Sequence, residues 1–282
     1  MTTPTRDRSD RLVARLRRAG CVFAEDEAAI LRRAAAGDDL ERLIVRREAG
    51  EFLEHLVGAV EIAGEVLDVG PGVFVPRQRT VLLIEAAIAE VRTRVRPVVV
   101  EAYCGVAPVA ALVGRRVSGV QLHVTDCDER ALAYARTNLP SAAAVHHGVG
   151  LGALPQELAG SVDLLVAVPP YVPSAAVDLL PREAREHEEA AALVSGADGL
   201  DEVRVLVRGA PSWLAPGGVL LLEMHRRQAP SALAVAQATS AWAERGFVVG
   251  EDGETAIVRL VRAGCDGARA AGAAPSPDAE EP

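Results

Sequence analysis

From about Thr80 onward the chain alternates short apolar runs with helical stretches, and this periodicity constrains its fold more than any other feature. Runs of four to eight apolar, β-branched residues separated by helices imply βαβ units, hence a largely parallel sheet whose ligands sit at the carboxyl ends of its strands. The expected strands are Pro97 to Glu101, Gln121 to Thr125, Val162 to Val168, Gly218 to Glu223, Gly246 to Gly250 and Thr255 to Val261. Helices fill the intervals up to Gly246. No helix fits between the last two runs, so they are predicted to pair as an antiparallel hairpin through Glu251-Asp252-Gly253.

The segment before this alternation has a different period. Between Arg11 and about Leu56 apolar residues recur every three or four positions, as in Leu12, Leu16, Ala28, Leu31, Leu40, Leu43 and Ile44, which predicts a small helical domain over residues 1–57. Residues 58–79, GAVEIAGEVLDVGPGVFVPRQR, read as a glycine-broken β-hairpin connector. The α/β domain then occupies 80–262. The remainder, 263–282, has almost no bulky apolar residue to bury and is expected to be disordered. No apolar stretch approaches the roughly 18 residues of a membrane span, and the N-terminus lacks an apolar signal core, so a cytoplasmic location is expected.

Composition narrows the partners. A net charge of −9 lacks the basic surface that phosphate backbones require, and an aromatic share of 3% leaves few rings for stacking bases, so direct nucleic-acid binding is not expected. Cys21, Cys104, Cys127 and Cys265 form no CxxC pair and lie near no histidine cluster, which points away from a metal site or a disulfide framework. Adjacent His146 and His147 would face opposite ways on a strand and are expected in a loop or on the surface.

Three motifs can carry chemistry. In VVVEAYCGVAPVAAL an apolar strand runs through Cys104-Gly105 into a helix, and Gly105 permits a close backbone approach to a ligand. In HVTDCDERALAYARTNL, Asp126 ends the next strand, where a carboxylate can accept both hydroxyls of a ribose, while Asp128 is placed to cap the helix Glu129 to Asn138. In VDLLVAVPPYVP the strand must stop at Pro169, because proline cannot donate to a sheet, and Val168-Pro169-Pro170-Tyr171 becomes a rigid corner beside the same cleft. His187, Glu223 and His225 could border that cleft. A dinucleotide-dependent oxidoreductase is disfavoured, since no G-x-G-x-x-G is present.

Taken together, GVFVPRQRT at Gly72 to Thr80, the Cys-Gly turn, the Asp126 strand end, the Pro-Pro-Tyr corner, PREAREHEEAAALVSGADGLD from Pro181 and the APGGVLLLE strand resemble the HemK or PrmC family of N5-glutamine methyltransferases. The resemblance implies a class I S-adenosylmethionine-dependent methyltransferase fold: a Rossmann-like, seven-stranded, mostly parallel sheet with an antiparallel last strand and a small N-terminal helical domain. It implies methyl transfer from S-adenosylmethionine to the glutamine amide of a Gly-Gly-Gln motif in a peptide-chain release factor, or to a related acceptor. By the same resemblance Val168, Pro169, Pro170 and Tyr171 hold the acceptor, and Glu101, Tyr103, Cys104, Gly105, Asp126, Cys127 and Val149 contact the cofactor.

Five positions depart from the family pattern. Val168 stands for the asparagine of Asn-Pro-Pro-Tyr, Glu101 for a shorter acid, Ala107 for the second glycine of the turn, Val149 for an adenine-binding Asp, and Val81 for a Glu. A methyltransferase-fold protein that binds a partner without catalysis therefore stays open as an alternative.

Overall fold

The structure, a computed structural model, describes residues 4–264. The expected tail lies outside these residues apart from Ala263 and Gly264. Four helices open the chain, α1 (Pro4–Arg18), α2 (Ala24–Ala34), α3 (Gly37–Glu48) and α4 (Leu53–Val57). They close on their own small core, in which Ala24 joins Leu12, Leu16, Ala28, Leu31 and Ile44 of the predicted spacing. Arg47 fastens this cluster to the rest of the molecule. Its buried guanidinium donates to Glu27 at 2.6 Å, to the Glu51 carbonyl at 2.8 Å and to Glu183, in a distant helix, at 2.5 Å.

A hairpin follows, β1 (Ala59–Ile62) against β2 (Glu65–Asp68). Its two-residue turn, Ala63-Gly64, has φ of 50° and 77°, the doubly left-handed geometry that matches strand twist. The remaining elements are α5 (Val81–Val91), β3 (Val98–Ala102), α6 (Pro108–Arg116), β4 (Gln121–Asp126), α7 (Glu129–Asn138), β5 (Ala144–His147), β6 (Val162–Ala167), α8 (Arg182–His187), α9 (Ala190–Leu193), α10 (Asp201–Trp213), β7 (Leu214–His225), α11 (Ala229–Gln237), β8 (Trp242–Val249) and β9 (Thr255–Arg262).

Strands β3 to β9 form one seven-stranded sheet in the order β5-β4-β3-β6-β7-β9-β8. Neighbours run parallel from β5 to β7, and β9 runs antiparallel to both β7 and β8. Alternate strand residues feed two apolar layers, Val99, Leu164, Val166 and Leu221 towards α5, α6 and α7, and Val100, Leu165, Leu220 and Leu222 towards α10 and α11. Burial on both faces explains why these strands read as unbroken apolar runs.

Several expectations need correction. His146 and His147 lie in strand β5, an edge strand whose run is too short and polar to show a period-2 pattern. There the His123 and His146 rings stack with centroids 5.4 Å apart. The strand expected from Gly218 begins at Leu214, and the run expected over Gly246 to Gly250 belongs to a longer strand that starts at Trp242 and ends at Val249. The strand expected to reach Val168 ends at Ala167, since Pro169 and Pro170 have no N–H to continue the ladder.

Candidate active site

The carboxyl ends of β3, β4 and β6 converge because all three are adjacent and parallel. Here the loop after β3 is unusually tight. Tyr103, Gly105 and Ala107 have φ of 54°, 54° and 59°, so every second residue is left-handed. Only the glycine adopts this without strain. A Cβ added at Gly105 would meet nothing within 4 Å, so the backbone there faces open space.

Asp126 organises the turn. Its Oδ2 accepts the Gly105 N–H at 2.8 Å and its Oδ1 accepts the Asp128 N–H at 2.9 Å, while its own carbonyl accepts the Gly148 N–H at 2.9 Å. A carboxylate oxygen has two lone-pair directions, so each Asp126 oxygen keeps acceptor capacity. Asp128 caps α7 as its spacing predicts, accepting the Arg130 N–H at 2.9 Å.

Glu101 turns away from solvent. Its oxygens accept the N–H groups of Val109 at 3.3 Å and Ala110 at 2.6 Å in the first turn of α6. Burial pushes its carboxyl up to about 8, against the lowering effect of those two N–H donors. Cys104 is buried and its thiol is raised well above its usual range by the same desolvation. Cys127, after the neighbouring strand, is exposed. The Tyr103 hydroxyl donates to Glu202 of α10 at 2.5 Å.

At the diproline corner Pro169 and Pro170 are buried, and Val168 and Tyr171 half-buried. The Tyr171 carbonyl accepts Gln228 Nε2 at 2.9 Å, and its hydroxyl accepts Arg79 Nη2 at 2.7 Å. Gly199 passes beneath it so closely that a Cβ would lie 2.1 Å from the Tyr171 oxygen.

These parts line one cavity of about 690 Å³, within the size range of cofactor and ligand pockets. Glu101, Tyr103, Cys104, Gly105, Asp126, Cys127 and Val168 to Tyr171 all border it. Val149 does not. It stands 68% exposed beside the loop. Val81 packs on the apolar core instead.

Sequence spacing does not single out Arg79, Phe52 or Phe74, which also line the cavity. Arg79 reaches Tyr171 across a separation of 92 positions and lies 3.4 Å from the buried Glu223, so only the fold unites them. Glu223 is raised by burial, and neither of its oxygens has a hydrogen-bond partner. Among the described residues no group of three or more His, Cys, Asp or Glu could hold a metal ion, and no helix is long and apolar enough to cross a membrane.

The cavity suits a nucleoside with a sulfonium tail. It offers an acceptor pair at Asp126, open backbone at Gly105 and an apolar corner at Val168 to Pro170.

No known family profile matches the chain. Curated proteins do. It is 39% identical over 184 residues to the release factor glutamine methyltransferase of Streptomyces coelicolor, covering 64% of this chain and 65% of that one, slightly under two thirds of its length. It is 36% identical over 203 residues to the 4-amino-L-phenylalanine/4-methylamino-L-phenylalanine methyltransferase of Streptomyces pristinaespiralis, covering 70% and 69%. To the release factor glutamine methyltransferase of Mycobacterium leprae it is 34% identical over 235 residues, covering 76% of this chain and 81% of that one. A strand order, a nucleoside-sized cleft and a relative aligned over four fifths of its length thus agree, and the chain belongs to the family of release factor glutamine methyltransferases.

Proposed function

We propose that this protein transfers the methyl group of S-adenosylmethionine to the side-chain amide nitrogen of a glutamine in a protein acceptor of the release-factor kind. The observation that carries the reading is the single cavity shared by Asp126, the Gly105 turn and the Val168–Tyr171 corner. Bound there, S-adenosylmethionine supplies an electrophilic methyl carbon.

The chain's own residues then bind, orient and exclude water. Asp126 accepts the ribose hydroxyls with the lone pairs its two backbone contacts leave free. Gly105 lets the ligand approach the main chain. Pro169 and Pro170, which have no N–H, leave carbonyl acceptors for the amide N–H groups, and the Tyr171 ring, steadied by Arg79 and Gln228, forms the side wall. With the amide held there, its nitrogen would take the methyl group, the C–S electron pair would remain on sulfur, and the displaced N–H proton would pass to solvent. An amide is a weak nucleophile, and orientation can supply up to roughly 7–11 kcal/mol of the barrier without a strong base. The acceptor protein is the partner, the reaction takes place in the cytoplasm, and the acidic surface disfavours direct contact with nucleic acid.

A second acceptor class has a specific observation in its favour. Val168 lacks the donor and acceptor of an asparagine, and the Streptomyces pristinaespiralis relative is named for an amine acceptor on a small molecule. The decisive experiment incubates the full chain with methyl-labelled S-adenosylmethionine and either a release factor with its Gly-Gly-Gln loop or 4-amino-L-phenylalanine. Label in the release factor supports the first reading, and label in the small amine the second. Cofactor binding without transfer to any acceptor in a cell extract would instead identify a non-catalytic binding module.

A further inference from the structure

A glutamine side-chain amide presents two N–H donors and a carbonyl oxygen with two lone pairs. Under the proposed function the Pro169 and Pro170 carbonyls meet the donors, and the oxygen still needs a donor of its own. Neither proline has an N–H, and the Val168 side chain carries none. Among the described residues three arginines border the cavity, Arg77, Arg79 and Arg130. Two are committed elsewhere. Arg77 donates to Glu188 at 2.5 Å, and Arg130 to Asp128 at 3.1 Å and Glu189 at 2.6 Å.

Arg79 stands on the acceptor side of the cleft. Asp126 ends β4, and the sheet order continues through β3 and β6, which leads into Val168, to β7, which carries Glu223. The Arg79 Nε lies 3.4 Å from Glu223, so the guanidinium sits beyond the diproline corner as seen from the ribose acid. Its hydrogen-bonding capacity is largely unspent. Glu223 faces it as an ion pair, yet neither Glu223 oxygen accepts a hydrogen bond. The one bond Arg79 makes among the described residues runs from Nη2 to the Tyr171 hydroxyl at 2.7 Å. A guanidinium carries five N–H groups and no acceptor. The carboxylate behind it is 1% exposed and anchors the charge, while the arginine side chain remains 42% exposed. Having accepted from Arg79, the Tyr171 oxygen keeps its own proton, because burial pushes the hydroxyl up.

Resting on the glutamine reading, we propose that Arg79 is a specificity-determining residue that donates, together with the Tyr171 hydroxyl, to the carbonyl oxygen of the acceptor amide. Glu223 acts through Arg79 as a positioning residue. With the oxygen held on this side and the N–H groups on the proline carbonyls, the plane of the amide is fixed.

The test is a cycle between protein and ligand. A Gly-Gly-Gln peptide, and the same peptide with norleucine in place of the glutamine, are titrated calorimetrically onto the full chain saturated with S-adenosylhomocysteine. Norleucine keeps the length of the side chain and lacks the amide. Arg79→Met should weaken the glutamine peptide about 10- to 100-fold, the value of a hydrogen bond to a charged group, and leave the norleucine peptide unchanged. Since a guanidinium has donors alone, such coupling runs through the carbonyl oxygen. Tyr171→Phe should weaken the glutamine peptide roughly fivefold. Arg79→Met leaves Glu223 buried without its counter-charge, so the double variant Arg79→Met/Glu223→Gln repeats the measurement with that charge removed and should show the same coupling. A merely structural role moves both peptides together, and equal losses, or none, in the single and double variants overturn the proposal. A matching loss of S-adenosylhomocysteine affinity would assign the guanidinium to the cofactor and overturn it as well. If the wild type neither binds nor methylates the Gly-Gly-Gln peptide, the glutamine reading itself falls, and this inference with it.

Discussion

Replacing Asp126 with asparagine is the substitution that most directly tests the proposed nucleoside grip. The side chain keeps its shape and loses its charge and one acceptor oxygen. Because Oδ1 and Oδ2 each accept a backbone N–H, from Asp128 at 2.9 Å and Gly105 at 2.8 Å, either orientation of the amide sets an NH₂ group against one of those donors. One backbone hydrogen bond is lost, at a cost of about 1–3 kcal/mol. The two ribose hydroxyls also exchange charge-assisted bonds for neutral ones, at roughly 1 kcal/mol each. The sum, about 3–5 kcal/mol, corresponds to a loss of affinity on the order of a hundredfold to several thousandfold. Isothermal titration with S-adenosylhomocysteine measures it directly. A 2′,3′-dideoxy analogue separates the two contributions, since it lacks the hydroxyls and should feel only the loosened turn, at most about a hundredfold. Unchanged affinity for S-adenosylhomocysteine, or equal losses for both ligands, would refute the assignment of Asp126 to the ribose.

Three further outcomes follow from the same geometry. Val168→Asn restores a donor and an acceptor beside the diproline corner, and it should raise methyl transfer to a Gly-Gly-Gln peptide about 10- to 100-fold with unaltered S-adenosylhomocysteine affinity; a flat turnover number would count against a glutamine site. Ala107 is buried at φ 59°, so Ala107→Gly should relieve about 1 kcal/mol of backbone strain and raise the thermal midpoint by roughly 2–4 °C, and a lower midpoint in calorimetry would contradict this. Glu101 holds its proton in the folded state up to about pH 8, whereas the unfolded chain releases it near 4.5. Native stability conferred by the wild-type residue is therefore full below pH 4.5 and declines as pH rises through this window. Denaturant titrations at pH 5 and pH 8 should show Glu101→Gln gaining on the wild type by on the order of 1 kcal/mol per pH unit, and a pH-independent difference would exclude the buried proton.

Much of the architecture is legible from residue patterns because both faces of the sheet are covered. Burial on two sides leaves long apolar runs such as Val98 to Val100 and Leu164 to Ala167, which survive any error in their exact ends. Edge strand β5 escapes because only one side pairs and its residues, Ala-Val-His-His, are half-exposed. Asp126, Gly105 and the diproline corner announce themselves because backbone rules restrict what each residue type can do at a strand end. Arg79 and Glu202 do not. Their roles arise from contacts between distant segments, Tyr103 with Glu202 and Arg79 with Tyr171, for which no local period exists. The family resemblance places Val149 at the cofactor, yet its side chain is exposed, and it is the neighbouring Gly148 N–H that contacts Asp126.

The clamp on the Tyr171 main chain has a consequence for turnover. With Gln228 fastened to its carbonyl from one side and Gly199 filling the space on another, the corner has nowhere to relax between successive acceptors. Under the proposed function, an acceptor would meet a corner whose main chain these contacts already hold, so that less ordering entropy would be charged to each encounter.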